Sequence, residues 1–170
     1  MLFRSDKLGG KAAIIPGANL VKHHADCEYP FRQDSNFWYL TGFDEPDAIA
    51  LFLSHKPKGE RFIMFVAPKD VISEVWNGFR WGLEGAEKEF NADKAHSINE
   101  LRDLLPNYIK GSDELVFSIG KHPSIEKLVL EIFSEQLNNR SRLGIGANSI
   151  KSPEIYLNEM RLIKSEFEIK

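Results

Sequence analysis

Two apolar runs set the tightest limit on what this chain can fold into. Asp47-Ala48-Ile49-Ala50-Leu51-Phe52-Leu53-Ser54 and Arg61-Phe62-Ile63-Met64-Phe65-Val66-Ala67-Pro68 are separated only by the polar turn His55-Lys56-Pro57-Lys58-Gly59-Glu60. Neither run alternates apolar with polar residues, so neither can leave one face in water. They predict adjacent antiparallel strands covered on both faces. Such a sheet needs a layer above it and a layer below. Helices must supply both.

The rest of the chain offers them. Lys11-Ala12-Ala13-Ile14-Ile15-Pro16-Gly17 reads as a further buried strand ended by a turn pair. Ala18 to Pro30 has no period and is expected to be a surface loop. Asn36 to Thr41 is rich in aromatic and β-branched residues and is closed by Gly42, which predicts a strand. Asp70 is placed as the cap of a short helix carrying Val71, Ile72, Val75 and Trp76 and stopped at Asn77-Gly78. Leu83 to Phe90 predicts another. Ser97-Ile98-Asn99-Glu100 has the form of a capping box, ahead of an apolar stripe from Ile98 to Ile109 that Gly111 ends. Glu114 to Gly120 predicts a strand, and Pro123 opens a helix ended by Asn138-Asn139. Leu143-Gly144-Ile145-Gly146 is a short strand candidate, and Ser152-Pro153 opens the last helix. A strand meander followed by alternating helix and strand gives an α/β domain, a mixed sheet with helices on its faces.

A length of 170 residues fits one such domain. A net charge of −3 without a Lys/Arg stripe argues against a nucleic-acid partner. The single Cys27 excludes an intrachain disulfide and fits a reducing compartment. No apolar run is long enough to cross a bilayer, so no membrane partner is expected and the cytoplasm is the expected location. Leu157, Met160, Ile163 and Phe167 keep helical spacing almost to Lys170 with no stop signal, the pattern of a chain cut inside a running helix.

Few residues offer chemistry. His23, His24, His55, His96 and His122 show no paired spacing on a predicted helix. They read as solvated loop histidines, with His23 and His24 on opposite sides of an extended chain. Asp44 and Glu45 read as turn and solubility residues. Asp26, Arg32 and Asp34 lie close together beside aromatics, where opposite charges can be partly desolvated. Cys27 has nothing to lower its pKa and reads as a small inert residue. Trp76 and Trp81 bracket a helix break at Asn77-Gly78-Phe79-Arg80, and Trp76 fits either a core position or an outward-facing anchor. One of Trp38 and Tyr39 should be structural. No nucleophile elbow, Walker loop or dinucleotide glycine pattern is present.

The run Asp26-x-x-Tyr29-Pro30-Phe31-Arg32-Gln33-x-Ser35-x-Phe37-x-Tyr39-Leu40-Thr41-Gly42-Phe43-x-Glu45-Pro46 closely resembles the signature of the amino-terminal domain of Xaa-Pro aminopeptidases (aminopeptidase P), relatives of creatinase and prolidase. Glu74-Val75-Trp76-x-Gly78-x-Arg80-x-Gly82, the helix from Ile98 to Leu105, and Glu159-Met160-Arg161-Leu162-Ile163-Lys164-Ser165 agree with it in order. The resemblance implies a three-layer domain with a mixed sheet, ribonuclease H-like in topology, over residues 1–156. Residues 157–170 would be a linker helix toward a carboxy-terminal catalytic domain. It also implies a parent enzyme that removes the residue preceding proline, using two metal ions, usually Mn²⁺, held in that other domain by two Asp, one His and two Glu. None of those ligands matches a position in this chain. No catalytic or metal-binding residue is therefore assigned here, and this chain alone is expected to be inactive.

Two positions are carried over as substrate-binding. Asp26 would approach the substrate's amino end, and Trp76 would wall the pocket on the leaving-peptide side, each at the active site of a neighbouring subunit. Arg140 or Arg142 matches a further pocket arginine ambiguously. The partners implied are the catalytic domain, neighbouring subunits of a homo-oligomer and proline-containing peptides. Two rivals are a stand-alone interaction module of the same fold, and a ribonuclease H-like nuclease using Asp26, Asp34 and Asp47 with Mg²⁺.

Overall fold

A computed structural model of the chain describes residues 8–25, 27–70, 74–75, 78–143 and 146–162, without the side chains of 140–143. The two apolar runs form β4 (Ile49–Leu53) and β5 (Phe62–Val66), antiparallel neighbours in which every residue is buried. β1 (Ala12–Pro16) lies against the other edge of β4, with Ile14 opposite Leu51. The sheet order is β6-β5-β4-β1-β7-β8, with β6 (Lys94–Ser97), β7 (Leu115–Val116) and β8 (Ile150–Lys151) added in parallel at the edges. It is a mixed six-stranded sheet. Side chains alternate across it, and each face has its own core. Ala13, Ile15, Phe52 and Met64 pack on one side with Phe37 and Leu157. Ile14, Leu51, Ile63 and Phe65 pack on the other with Leu105 and Ile132. The three-layer α/β architecture is thus the one that two doubly covered strands require.

The hydrophobic layers come from α1 (Ser35–Thr41), α2 (Gly82–Lys88), α3 (Leu101–Ile109), α4 (Pro123–Leu143) and α5 (Glu154–Leu162). The capping box before α3 is present: Ser97 Oγ accepts from the Asn99 N–H, and Glu100 accepts from the Ser97 N–H. A 3₁₀ turn, Ile98–Glu100, leads from it into the helix.

The largest departure from the sequence reading is Asn36–Thr41, which is helix and not strand. Asp34 Oδ1 accepts from the backbone N–H groups of both Asn36 and Phe37, and Gly42 closes the helix at φ 70° with its N–H on the Trp38 carbonyl. A cap at each end and burial of Phe37 and Leu40, three positions apart, outweigh β propensity. Within the expected loop at 18–30, β2 (Lys22–His24) and β3 (Cys27–Glu28) form an exposed hairpin. Its register shifts between Lys22 and His24, which breaks strict alternation and leaves the His23 and His24 rings 4.8 Å apart.

Toward the end of the chain the boundaries move. α4 runs through Asn138-Asn139, because the helix-propensity cost of asparagine, under roughly 0.7 kcal/mol per residue, is too small to stop it. The last strand among the described residues is Ile150–Lys151; of the strand candidate at 143–146, Leu143 belongs to α4, and Gly144 and Ile145 lie outside the described residues. β7 is only two residues long, and the chain turns at Gly120, φ 86°. β6 had no sequence signal, since only Ala95 of its four residues is buried.

Candidate functional site

The carboxyl end of β1 is where polar side chains converge. Gln33 sits there with all four of its amide hydrogen-bonding positions used. Its Oε1 accepts from the N–H groups of Ala18 (2.6 Å) and Asp34 (2.9 Å), and its Nε2 donates to the carbonyls of Phe43 (3.3 Å) and Glu45 (2.8 Å). A Cβ at Gly17 would lie 2.9 Å from Gln33 Oε1, so only glycine leaves room for this bridge. Gln33 ties the exit of β1 to the 43–45 turn. Sequence reading missed it, because a glutamine in a polar run carries no periodic signal.

That turn holds an unexpected side chain. Glu45 is 6% exposed, not a solvated turn residue, and its Oε1 accepts a hydrogen bond from the Trp81 N–H at 2.6 Å. Its Oε2 is buried without a hydrogen-bond donor among the described residues. Burial pushes the Glu45 carboxyl above its ordinary pKa, against the opposing pull of the Trp81 N–H and the Arg80 charge. The clue in the sequence was position: Glu45 lies between Phe43 and Ala48, both buried.

Ahead of Trp81, two backbone N–H groups bond to Glu74. The Arg80 N–H donates to Glu74 Oε1 at 3.1 Å, and the Gly78 N–H donates to the Glu74 carbonyl at 3.0 Å. Phe79 stands 62% exposed with its ring edge-on to Trp81 and the Lys69 ammonium 4.7 Å from its centroid. Trp76 and Asp26, the two substrate-binding candidates, lie outside the described residues, as do Val71, Ile72 and Asn77. Only their neighbours in the chain are described: Glu74, Val75 and Gly78 near one, Ala25 and Cys27 near the other.

A second polar group fastens α5 to α1. Arg161 Nη2 donates to Asn36 Oδ1 at 2.7 Å, Asn36 Nδ2 donates to Glu154 Oε1 at 3.1 Å, and Lys121 Nζ reaches the same oxygen at 2.8 Å. The Arg161 guanidinium also lies 5.2 Å from the centre of the Tyr39 ring. Tyr39 is the packed member of its pair, while Trp38 is half exposed. The Lys121 bond holds the Glu154 carboxyl below its ordinary pKa. Of the proposed acidic triplet, Asp34 is engaged as a helix cap and Asp47 is exposed at φ 58°.

The histidines correct another expectation. His55 and His96 are not solvated: His96 Nε2 lies 2.6 Å from the Tyr108 hydroxyl, and His55 Nε2 lies 3.1 Å from the Tyr108 carbonyl. Burial lowers the pKa of both. Among the described residues no three His, Cys, Asp or Glu come together in a way that could hold a metal ion. The described residues therefore do not fit the metal pair implied by the resemblance, and no chemical step is assigned to them.

Comparison with known proteins decides the family. Residues 4–117 match the family model described as aminopeptidase P, N-terminal domain. The chain belongs to the aminopeptidase P N-terminal domain family. It is 41% identical over 152 residues to the Xaa-Pro aminopeptidase of Haemophilus influenzae, covering 88% of this chain and 32% of that protein. Against the Xaa-Pro aminopeptidase of Escherichia coli it is 32% identical over 163 residues, covering 94% and 36%. The solved aminopeptidase PepP of Pseudomonas aeruginosa superposes with a TM-score of 0.83 at 30% identity, covering 94% of this chain and 36% of that one. This aminopeptidase P domain thus spans about a third of the length of the curated relatives it matches. Similar proteins include the mitochondrial intermediate cleaving peptidase 55 of Arabidopsis thaliana. No helix among the described residues of this domain is long and apolar enough to cross a membrane.

Proposed function

We propose that this domain is the accessory half of a metal-dependent Xaa-Pro aminopeptidase, acting with a carboxy-terminal catalytic domain in a cytoplasmic homo-oligomer. The observation that carries this reading is the similarity over 88% and 94% of the chain to Xaa-Pro aminopeptidases about three times as long. Two metal ions, Mn²⁺ in the simplest case, would reside in the other domain and activate water there. The present domain's task is to shape the substrate entrance. Asp26 approaches the substrate's amino end and Trp76 walls the pocket for proline-containing peptides, both toward a neighbouring subunit's centre.

Residues 1–156 form the accessory domain, and the helix from Leu157 leads to the next one. Leu157 itself is fully buried, and Arg161 is bonded to Asn36, which gives that helix a fixed direction of departure. The test is to read the gene beyond Lys170. A continuing frame with an Asp…Asp…His…Glu…Glu series supports the reading. An immediate stop codon removes it in favour of a stand-alone interaction module.

A further inference from the structure

Three helices begin around one small crevice. It lies at the carboxyl ends of β1 and β7, beside the starts of α1, α4 and α5, and its lining includes Pro16, Asp34, Asn36, Ser118, Lys121 and His122. At about 10 Å³ it has room for roughly one water molecule, so a charge placed there is met largely by protein groups. His122 is half-buried in this crevice and is not the solvated loop residue that the sequence predicts.

The head of α4 is a poor place for a positive charge. The His122 carbonyl accepts from the N–H groups of Ile125 (3.1 Å) and Glu126 (2.9 Å), which puts His122 at the cap of a 21-residue helix, at the positive end of its dipole. Lys121 is beside it, with its ammonium on Glu154 Oε1 at the head of α5. Glu126, in the first turn of α4, accepts from the Gly120 N–H at 2.6 Å. The Asp34 charge acts on His122 from the head of α1, but Asp34 Oδ1 is already shared by the N–H groups of Asn36 and Phe37. Burial lowers the His122 pKa, and Asp34 pulls the other way.

We infer that His122 is an acid-sensitive latch on the junction of α1, α4 and α5. The neutral ring leaves Asp34 free to cap α1. The protonated ring competes for that carboxylate and places a positive charge at the head of α4. The latch does not depend on the proposed enzymatic role. Because the folded pKa lies below 6.5, the junction is fully closed above about pH 6.5 and loosens as pH falls through the folded value.

The test is NMR on the ¹⁵N-labelled 170-residue chain between about pH 7.5 and about pH 4.5. It follows the His122 ring and the exchange protection of four amides: Asn36 and Phe37, which bond to Asp34, and Ile125 and Glu126, which bond to the His122 carbonyl. Each is referenced to the Leu51 amide in β4, so a change in global stability cancels. Protection of all four is expected to fall about fivefold, with the midpoint of the His122 ring. His122→Asn keeps the backbone cap and cannot titrate, so its protection stays level across the range. Asp34→Asn still caps α1 but carries no charge for the imidazolium to draw. In that variant Asn36 and Phe37 stay protected, Ile125 and Glu126 still loosen, and the His122 midpoint moves down.

A His122 ring that titrates with no accompanying loss of protection is only a buried histidine, and that result overturns the inference. So does a ring that stays neutral to pH 4.5, a pH step that survives in His122→Asn, or a loss at Asn36 and Phe37 that Asp34→Asn leaves in place. Should either variant not fold, the titration of the parent chain decides by itself.

Discussion

Glu45 Oε1 and the Trp81 N–H are 36 positions apart in the chain and meet at 2.6 Å. Trp81 precedes α2, whose own cap residue offers no side-chain hydrogen bond, so a carboxylate from a distant turn serves its first turn. Burial raises the Glu45 pKa, so the folded protein holds that proton more tightly than the unfolded chain does. The stability contributed by this group is therefore full below its ordinary pKa of 4.5 and lost as pH rises through the folded value. Glu45→Gln removes the titration. Thermal melts at pH 4.5 and pH 7 should show the variant gaining stability relative to the parent as pH rises; parallel pH curves would contradict this.

The Asp34 cap makes a separate prediction. Its Oδ1 receives two N–H groups at the start of α1, and α1 buries Phe37 and Leu40 under the sheet. Asp34→Ala should cost about 0.5–2 kcal/mol in denaturant unfolding, the usual range for a lost cap. Asp34→Asn, which keeps the acceptor, should recover most of it.

That same helix shows where the sequence was legible and where it was not. β4 and β5 could be read directly, because a strand buried on both faces has a composition nothing exposed can imitate. The capping box at Ser97–Glu100 was equally plain, since its partners are three residues apart. α1 was read as strand because Phe37, Trp38 and Tyr39 favour strands, while the cap that decides the matter acts through backbone N–H groups. The bonded roles of Glu45 and Gln33 were not legible for a different reason. Their bonds to Trp81 and Ala18 span 36 and 15 positions, and no local pattern encodes a partner that far away. The family signature identified the domain, while its two carried-over residues, Asp26 and Trp76, remain outside what the structure describes.

The attachment of α5 to α1 should be graded. Leu157 is fully buried, and Leu157→Ala should cost about 2–5 kcal/mol. The Lys121–Glu154 pair is half exposed, so Lys121→Ala should cost no more than about 1 kcal/mol, with the difference shrinking at high salt. Because Glu154 is held below its ordinary pKa, its contribution is present above 4.5 and fades as pH falls through the folded value. Urea unfolding at two salt concentrations separates the two effects.

Tyr108 links two histidines that burial keeps below 6.5. The folded protein binds these protons less readily than the unfolded chain. Their contribution is full above about pH 6.5 and lost as pH falls through the lowered folded values. Tyr108→Phe removes the hydroxyl beside His96 and leaves the backbone carbonyl beside His55. It should cost about 1 kcal/mol at neutral pH. An NMR titration should show the His96 midpoint changing and that of His55 staying in place.

The most direct measurement of the accessory role is Mn²⁺-dependent release of the first residue from a peptide with proline second, by purified residues 1–170 alone. No release above the buffer rate is expected, with activity appearing only in a protein that also carries the proposed catalytic domain. Release by residues 1–170 that a chelator abolishes would contradict the accessory role.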